Sequence, residues 1–170
     1  MQANKLLDNK KGLTIVELMI TLAILLIVIG ASYSFYFYVV RAFDIGTKQS
    51  DVQQNVRLAK NIIDNKVRSA NYIAITESEP EAEWNQKIYL DNGKIMYVKD
   101  GDTTELLSGL ADGFNMQIEF EKVGTSFLEI SITGDINGEH VYNITSEVLI
   151  KAIQESKFVG DTGNVIYFKS

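Results

Sequence analysis

The stretch KKGLTIVELMITLAILLIVIG, Lys10 to Gly30, decides how the rest of the chain is read. It starts basic, passes a glycine, and then becomes almost wholly apolar, except that a carboxylate, Glu17, stands early in the apolar run. From Leu18 to Val40 there are 23 residues without a charge. As a helix rising about 1.5 Å per residue, that run is long enough for a hydrocarbon core roughly 30 Å thick. A charge at the centre of such a helix costs roughly 2.5 to 3.5 kcal/mol on insertion scales, so something must offset Glu17.

The flanks fit a span. Lys5, Lys10 and Lys11 precede it, and YSFYFY (Tyr33 to Tyr38) places amphipathic rings near its far end. By the asymmetry of basic residues the N-terminus stays in the cytoplasm, with Arg41 on the far side a single residue against. The net charge of −6 includes +2 from residues 1 to 12; with Glu17 and Arg41 cancelling, this leaves −8 on residues 42 to 170. An acidic surface of this kind repels phosphate backbones, so no direct nucleic-acid binding is expected. The chain has no cysteine, which excludes disulfide stapling and lipid attachment through an N-terminal cysteine.

Beyond the apolar run the helical period continues. Val52, Val56, Ala59, Ile63, Val67 and Ala70 fall mostly three or four apart, the spacing of an amphipathic helix. No proline occurs before Pro80, and Gly46 is the one plausible break. One long helix is therefore expected from Leu13 to about Tyr72, with any bend at Gly46. The acidic stretch ESEPEAE, Glu77 to Glu83, ends it as a loop.

From about residue 87 the period changes to two. KIYLDNGKIMYV (Lys87 to Val98) holds Asn92-Gly93 between two strand-like runs, a strong hairpin signal because both turn residues tolerate positive φ. FNMQIEFEKV (114 to 123), FLEISIT (127 to 133) and EHVYNITSEVLIKA (139 to 152) alternate likewise, and SKFVGDTGNVIYFKS reads as one more strand after a glycine turn. The expected class is α+β: a long N-terminal helix packed on a C-terminal antiparallel sheet of four to six strands. A sheet with one polar face needs a lid on the other, and the amphipathic half of the helix supplies it.

A short basic leader ending in glycine, then L-T-I-V-E-L, then some twenty apolar residues running into a long helix, resembles the N-terminus of type IV prepilins and pseudopilins. The resemblance covers about 30 residues, and it differs from the family in having Leu13 where phenylalanine is usual. It implies that a prepilin peptidase cuts after Gly12 and methylates the new amine of Leu13, and that Glu17 acts in assembly. The organisation it implies is a cleaved leader at 1–12, a transmembrane and assembly helix at 13–40, and an extracytoplasmic head at 41–170. The implied partners are other pilin or pseudopilin subunits, the peptidase, and the cytoplasmic membrane before assembly. The implied location is a single pass with the N-terminus inside, followed by an extracellular pilus.

Physics supplies a reason for this arrangement: in a bundle of such helices, the Glu17 carboxylate can pair with a neighbour's Leu13 ammonium, which exists only once the leader has left. A signal anchor would have no reason to carry Glu17 after a Gly-Leu junction, and a signal peptide cut near Gly30-Ala31-Ser32 would end inside the apolar run. Arg57 and Arg68 along the amphipathic helix, with YNITSEVLIKAI, resemble the minor pilins and the J-type and W-type pseudopilin group, whose members start or tip a filament. A pseudopilin of a secretion or DNA-uptake machine and a non-polymerising membrane-anchored binding module are the alternatives.

No enzyme and no cofactor are expected. Asp100, Asp102 and Glu105, or Asp135, Asn137 and Glu139, lack the ligand spacing of a calcium loop and read as turns. Asn143-Ile144-Thr145 is a sequon inside an expected strand. His140, the only histidine, has no second group placed to work with it and reads as a strand residue.

Overall fold

The structure, a computed structural model, describes residues 12–81, 83–150 and 157–169. Most of the expected leader (1–11), Ala82 of the acidic loop, and Lys151 and Ala152 at the end of the third alternating run lie outside the described residues. Among the described residues, one helix, α1, spans Ile15–Val67, and ten strands follow: β1 Tyr72–Ile75, β2 Gln86–Asp91, β3 Lys94–Lys99, β4 Asp102–Glu105, β5 Phe114–Val123, β6 Phe127–Ile136, β7 Glu139–Leu149, β8 Phe158–Val159, β9 Thr162–Gly163 and β10 Ile166–Lys169. The chain divides into two compact units, one ending at Asp44 and the other starting at Ile45.

The second unit holds the core. Val52, Val56, Ala59, Ile63, Val67 and Ala70 are all fully buried; the first five form the packed face of the helix from Ile45 onward, and Ala70 lies just past its end. Burying a side chain of the Val or Ile class stabilises by roughly 1.5 to 3 kcal/mol. Opposite lie Phe114, Met116, Ile118 and Phe120 of β5 and Leu128, Ile130 and Ile132 of β6. Gly134 on β6 lets the helix come close, because a Cβ there would stand 2.4 Å from Val56 Cγ2.

Polar contacts fix the helix on the strands. Asp64 is buried, ion-paired with Lys60 at 2.8 Å and accepting from Ser146 Oγ at 2.9 Å. Arg57 Nε donates to the Tyr142 hydroxyl at 3.3 Å, and Lys66 Nζ stands 3.6 Å from the centroid of the Tyr97 ring. Burial lowers the Lys66 pKa, and Lys99 lowers it further.

The α+β class expected from the sequence is the one observed, with three differences. There are two sheets: six strands in the order β4-β3-β2-β10-β1-β8, and four in the order β7-β6-β5-β9. Among the described residues every pairing is antiparallel except β1 with β8, which is parallel. The helix also ends at Val67, short of Tyr72. There the Asn71 N–H donates to the Lys169 carbonyl at 2.8 Å, and the chain turns into β1 beside β10. As expected, α1 is a single helix that continues through Gly46.

The Asn92-Gly93 hairpin joins β2 and β3, with φ of 48° and 75° at its two turn residues, the left-handed pair the dipeptide favours. Asp100 and Gly101, with φ of 51° and 93°, turn between β3 and β4. Asn137 and Gly138 turn between β6 and β7, where Asp135 Oδ1 accepts from the Gly138 N–H at 2.7 Å. The residues that could be mistaken for calcium loops thus lie in or beside tight turns, except Glu105, which ends β4 and pairs with Lys94. His140 opens β7 at a φ of 57°, its Nε2 3.9 Å from Glu139 Oε2. Asn143 of the sequon lies on β7 and donates to Thr133 Oγ1 at 2.7 Å.

Candidate functional site

The first unit is the N-terminal part of α1. Gly12, Leu13 and Thr14 precede the helix, and Glu17 lies in its first turn. The Glu17 N–H donates to Thr14 Oγ1 at 3.2 Å, while Glu17 Oε2 accepts from the Thr14 N–H at 3.4 Å. This reciprocal pair is a capping box, with Thr14 as the N-cap and Glu17 three residues on. It satisfies two amide donors that a helix start leaves open and sets the carboxylate at the positive end of the helix dipole. The Thr14 hydroxyl also lies 3.5 Å from the same oxygen.

Part of the cost of Glu17 is thus offset inside its own chain. Seen only as a charge in an apolar run, Glu17 gives no hint of Thr14. The signal was present as T-I-V-E, the S/T-x-x-E pattern of a helix start.

Every residue from 12 to 48 is exposed. Leu18 to Val40 is therefore an apolar surface uncovered in the chain alone, and α1 is long and apolar enough to cross a membrane. The hydroxyls within it are turned back onto the helix: Thr21 Oγ1 donates to the Leu18 carbonyl at 2.9 Å, Ser32 Oγ to Val28 at 2.8 Å, and Ser34 Oγ to Gly30 at 3.1 Å. Such back-bonding lets a hydroxyl enter hydrocarbon without a second partner. Tyr33 and Phe37 form a tilted ring pair with centroids 5.8 Å apart near the far end of the run.

The helix thus carries a capped carboxylate at the start of an exposed apolar run that is long and apolar enough to cross a membrane. A prokaryotic N-terminal methylation motif matches residues 7–33, a span that includes Gly12, Leu13 and Glu17. The chain is type IV pilin-like. The likeness extends to the fold: the D319A mutant of the PilB minor pilin from Streptococcus sanguinis superposes with a TM-score of 0.55 at 20% identity, over 71% of this chain and 34% of that one. At that identity the match is one of fold, and the pilin-like chain spans about a third of that protein's length. No curated protein sequence matches it.

Among the described residues, no group of three or more histidine, aspartate or glutamate side chains is placed to hold a metal ion.

Proposed function

We propose that the pilin-like chain is a minor structural subunit of a type IV pilus. On this reading a prepilin peptidase cuts after Gly12 and methylates the Leu13 amine. Residues 13–40 hold the subunit in the cytoplasmic membrane with the N-terminus inside, then pack among the helices of an extracellular filament. Residues 41–170 form the extracytoplasmic head, and the subunit sits at or near the tip and helps to start assembly. The observation that carries the reading is the exposed apolar run with a capped carboxylate at its start.

The capping box engages Oε2 of Glu17, and a carboxylate has a second oxygen to offer. Pairing Oε1 with the Leu13 ammonium of a neighbour would set the axial register between subunits, while apolar side chains supply most of the adhesion.

Two substitutions separate the cap from the charge. Glu17→Gln keeps an acceptor at the third helical position, so the box survives, but it removes the charge; Glu17→Ala removes both. Both variants are expected to insert in the membrane as well as the parent and to be depleted from sheared filaments. Filament pools in which Glu17→Gln equals the parent would reduce Glu17 to a helix cap. Mass spectrometry of the N-terminal peptide tests processing independently: a methylated Leu13 is expected, and an intact Met1 terminus would overturn the cleavage assignment.

A further inference from the structure

On the face of the β7-β6-β5-β9 sheet opposite the core lies a hollow of about 400 Å³, within the roughly 300 to 1,000 Å³ of small-molecule sites. Its floor is two cross-strand rows. Gln117 of β5 stands opposite Thr133 of β6, which stands opposite Asn143 of β7; Glu119 stands opposite Ser131 in the next row. Its wall is built where the chain leaves one sheet for the other. Asn164 follows β9 and leads into β10, and Glu77 follows β1. The two wall segments are tied together by the Thr76 N–H, which donates to the Val165 carbonyl at 3.2 Å.

The chemistry of the lining is uniform. Apart from Ile118 and Gly163, its side chains are amides, hydroxyls and carboxylates, with no lysine, arginine, histidine or aromatic ring. Several are already oriented by each other: Asn143 Nδ2 donates to Thr133 Oγ1 at 2.7 Å, Ser131 and Thr145 share a hydrogen bond of 2.9 Å, and Glu119 accepts from Thr162 Oγ1 at 3.4 Å. Neither Glu77 nor Glu119 forms an ion pair among the described residues.

This lining selects by exclusion. Two carboxylates without a cation repel phosphate, sulfate and carboxylate ligands. The absence of a ring removes stacking as a source of affinity for flat aromatic ligands. A divalent cation is disfavoured because only two charged ligands are offered where a calcium site takes six to eight oxygens, usually with more carboxylates. What fits is a neutral molecule with several adjacent hydroxyls. Each hydroxyl can donate to a carboxylate or amide oxygen and accept from an amide N–H or a hydroxyl, and bonds to the carboxylates are charge-assisted.

We propose that this hollow is a binding site for a neutral saccharide, with Gln117, Thr133 and Asn143 contacting one edge of a sugar ring and Glu77 and Glu119 accepting from its hydroxyls. The proposal does not depend on the assignment of the chain as a pilus subunit, since the hollow lies wholly between Glu77 and Asn164.

The test uses the full chain in a detergent without a sugar headgroup, probed by saturation-transfer difference NMR with glucose, galactose, mannose and N-acetylglucosamine, and with ethylene glycol as a control. Transfer to at least one sugar and none to ethylene glycol is expected. Thr133→Val with Asn143→Leu should weaken that sugar by roughly tenfold or more, the worth of one or two lost hydrogen bonds. Glu129→Gln, on the same face but outside the hollow, should leave binding unchanged. Gln117→Lys is the second variant: it leaves the Asn143 to Thr133 bond in place, fills the hollow with an ammonium group, and decides the matter if the double variant does not fold by circular dichroism. Transfer to none of the four sugars, or equal affinity in a folded variant of either kind, would overturn the proposal. So would calcium binding by isothermal titration in the absence of any sugar signal, which would reassign the hollow to a cation.

Discussion

At the scale of single residues, two positions carry more of the structure than their size suggests. Gly134 on β6 lies against Val56 and Val52 of the helix, and its missing side chain makes the approach possible. A Cβ added there would stand 2.4 Å from Val56 Cγ2, 3.4 Å from Phe114 Cζ and 3.5 Å from Val52 Cγ1. Gly134→Ala should therefore destabilise the second unit by about 1 to 3 kcal/mol, the usual cost of overpacking a filled core, measured by urea denaturation. Val56→Ala in the same background should recover part of the loss, because it removes the clashing atom. Glu83 is the second position. Its carboxylate accepts from Lys169 Nζ at 2.7 Å, and that hydrogen bond, with the charge of Lys169, holds its pKa below the ordinary value of 4.5. A lowered carboxyl pKa in the folded state gives stability that is present above the ordinary pKa and is lost as pH falls through the lowered one. Trp84, the only tryptophan, adjoins Glu83 and packs edge-on against Tyr167 with centroids 4.8 Å apart. Its fluorescence should hold steady from neutral pH to about the ordinary carboxyl pKa and then change below it. Glu83→Gln should remove that step while leaving the neutral spectrum alone. An identical acid step in Glu83→Gln would assign the change to another carboxyl group.

At the scale of elements, legibility followed the environment of each segment. The helical stripe from Val52 to Val67 and the alternation of β5 could be read directly, because each has one face in the core and one in water, and the polar face marks the period. β1 and β10 could not be read this way. YIAI and IYFK are each almost wholly buried and sit beside each other inside the six-stranded sheet, so their apolar runs carry no period. Without one, Tyr72 passed for the end of the helix, and β10 for a terminal addition when it pairs on both sides. The split into two sheets was equally hidden, since strand order depends on long-range pairing that no local pattern records. At the candidate site, Glu17 stood out by residue type, and Gly12 and Leu13 only through the resemblance to prepilins, whereas the role of Thr14 needed the helix start to be located first. The hollow above β5, β6 and β7 was invisible, being assembled from outward side chains of three strands and two loops. The Asn92-Gly93 turn was the most local of the signals and is the most exposed to a local test. Gly93 has a φ of 75°, an added Cβ would meet Asn115 Oδ1 at 2.8 Å, and its carbonyl accepts from the Met116 N–H at 2.7 Å, linking the hairpin to β5. Gly93→Ala should cost on the order of 1 to 2 kcal/mol, since the backbone conformation is unfavourable to a Cβ and the Asn115 amide must move. Asn92→Gly should cost little by comparison. A chevron or equilibrium urea series on both variants gives the ranking, and equal losses would mean that strain at Gly93 is not what fixes the turn.

At the scale of the whole molecule, the distribution of apolar surface separates two solvents within one chain. Among the described residues, the large exposed apolar side chains lie at or before Phe43, apart from Ile45, Leu58, Phe127, Val141, Leu149 and Val159. The last five of these are spread over the helix, β6, β7 and the short edge strand β8, a scatter ordinary for a protein surface in water. The core cluster lies entirely between Val52 and Phe168, and the compact unit that contains it begins at Ile45. Nothing in that core calls on a residue before Ile45, so residues 45–170 should fold without the apolar run. The excised segment is expected to be a soluble monomer that unfolds cooperatively, with a far-ultraviolet spectrum showing strand beside helix. Its helix starts in water, without the Thr14–Glu17 cap, so the first turns after Ile45 should fray. Hydrogen exchange should then show weak protection near residue 45, rising toward Ile63, where the helix is packed. Aggregation at micromolar concentration, a spectrum with helix alone, or uniform protection along the helix would show that the second unit needs the first in order to fold. The two solvents would then belong to one cooperative structure.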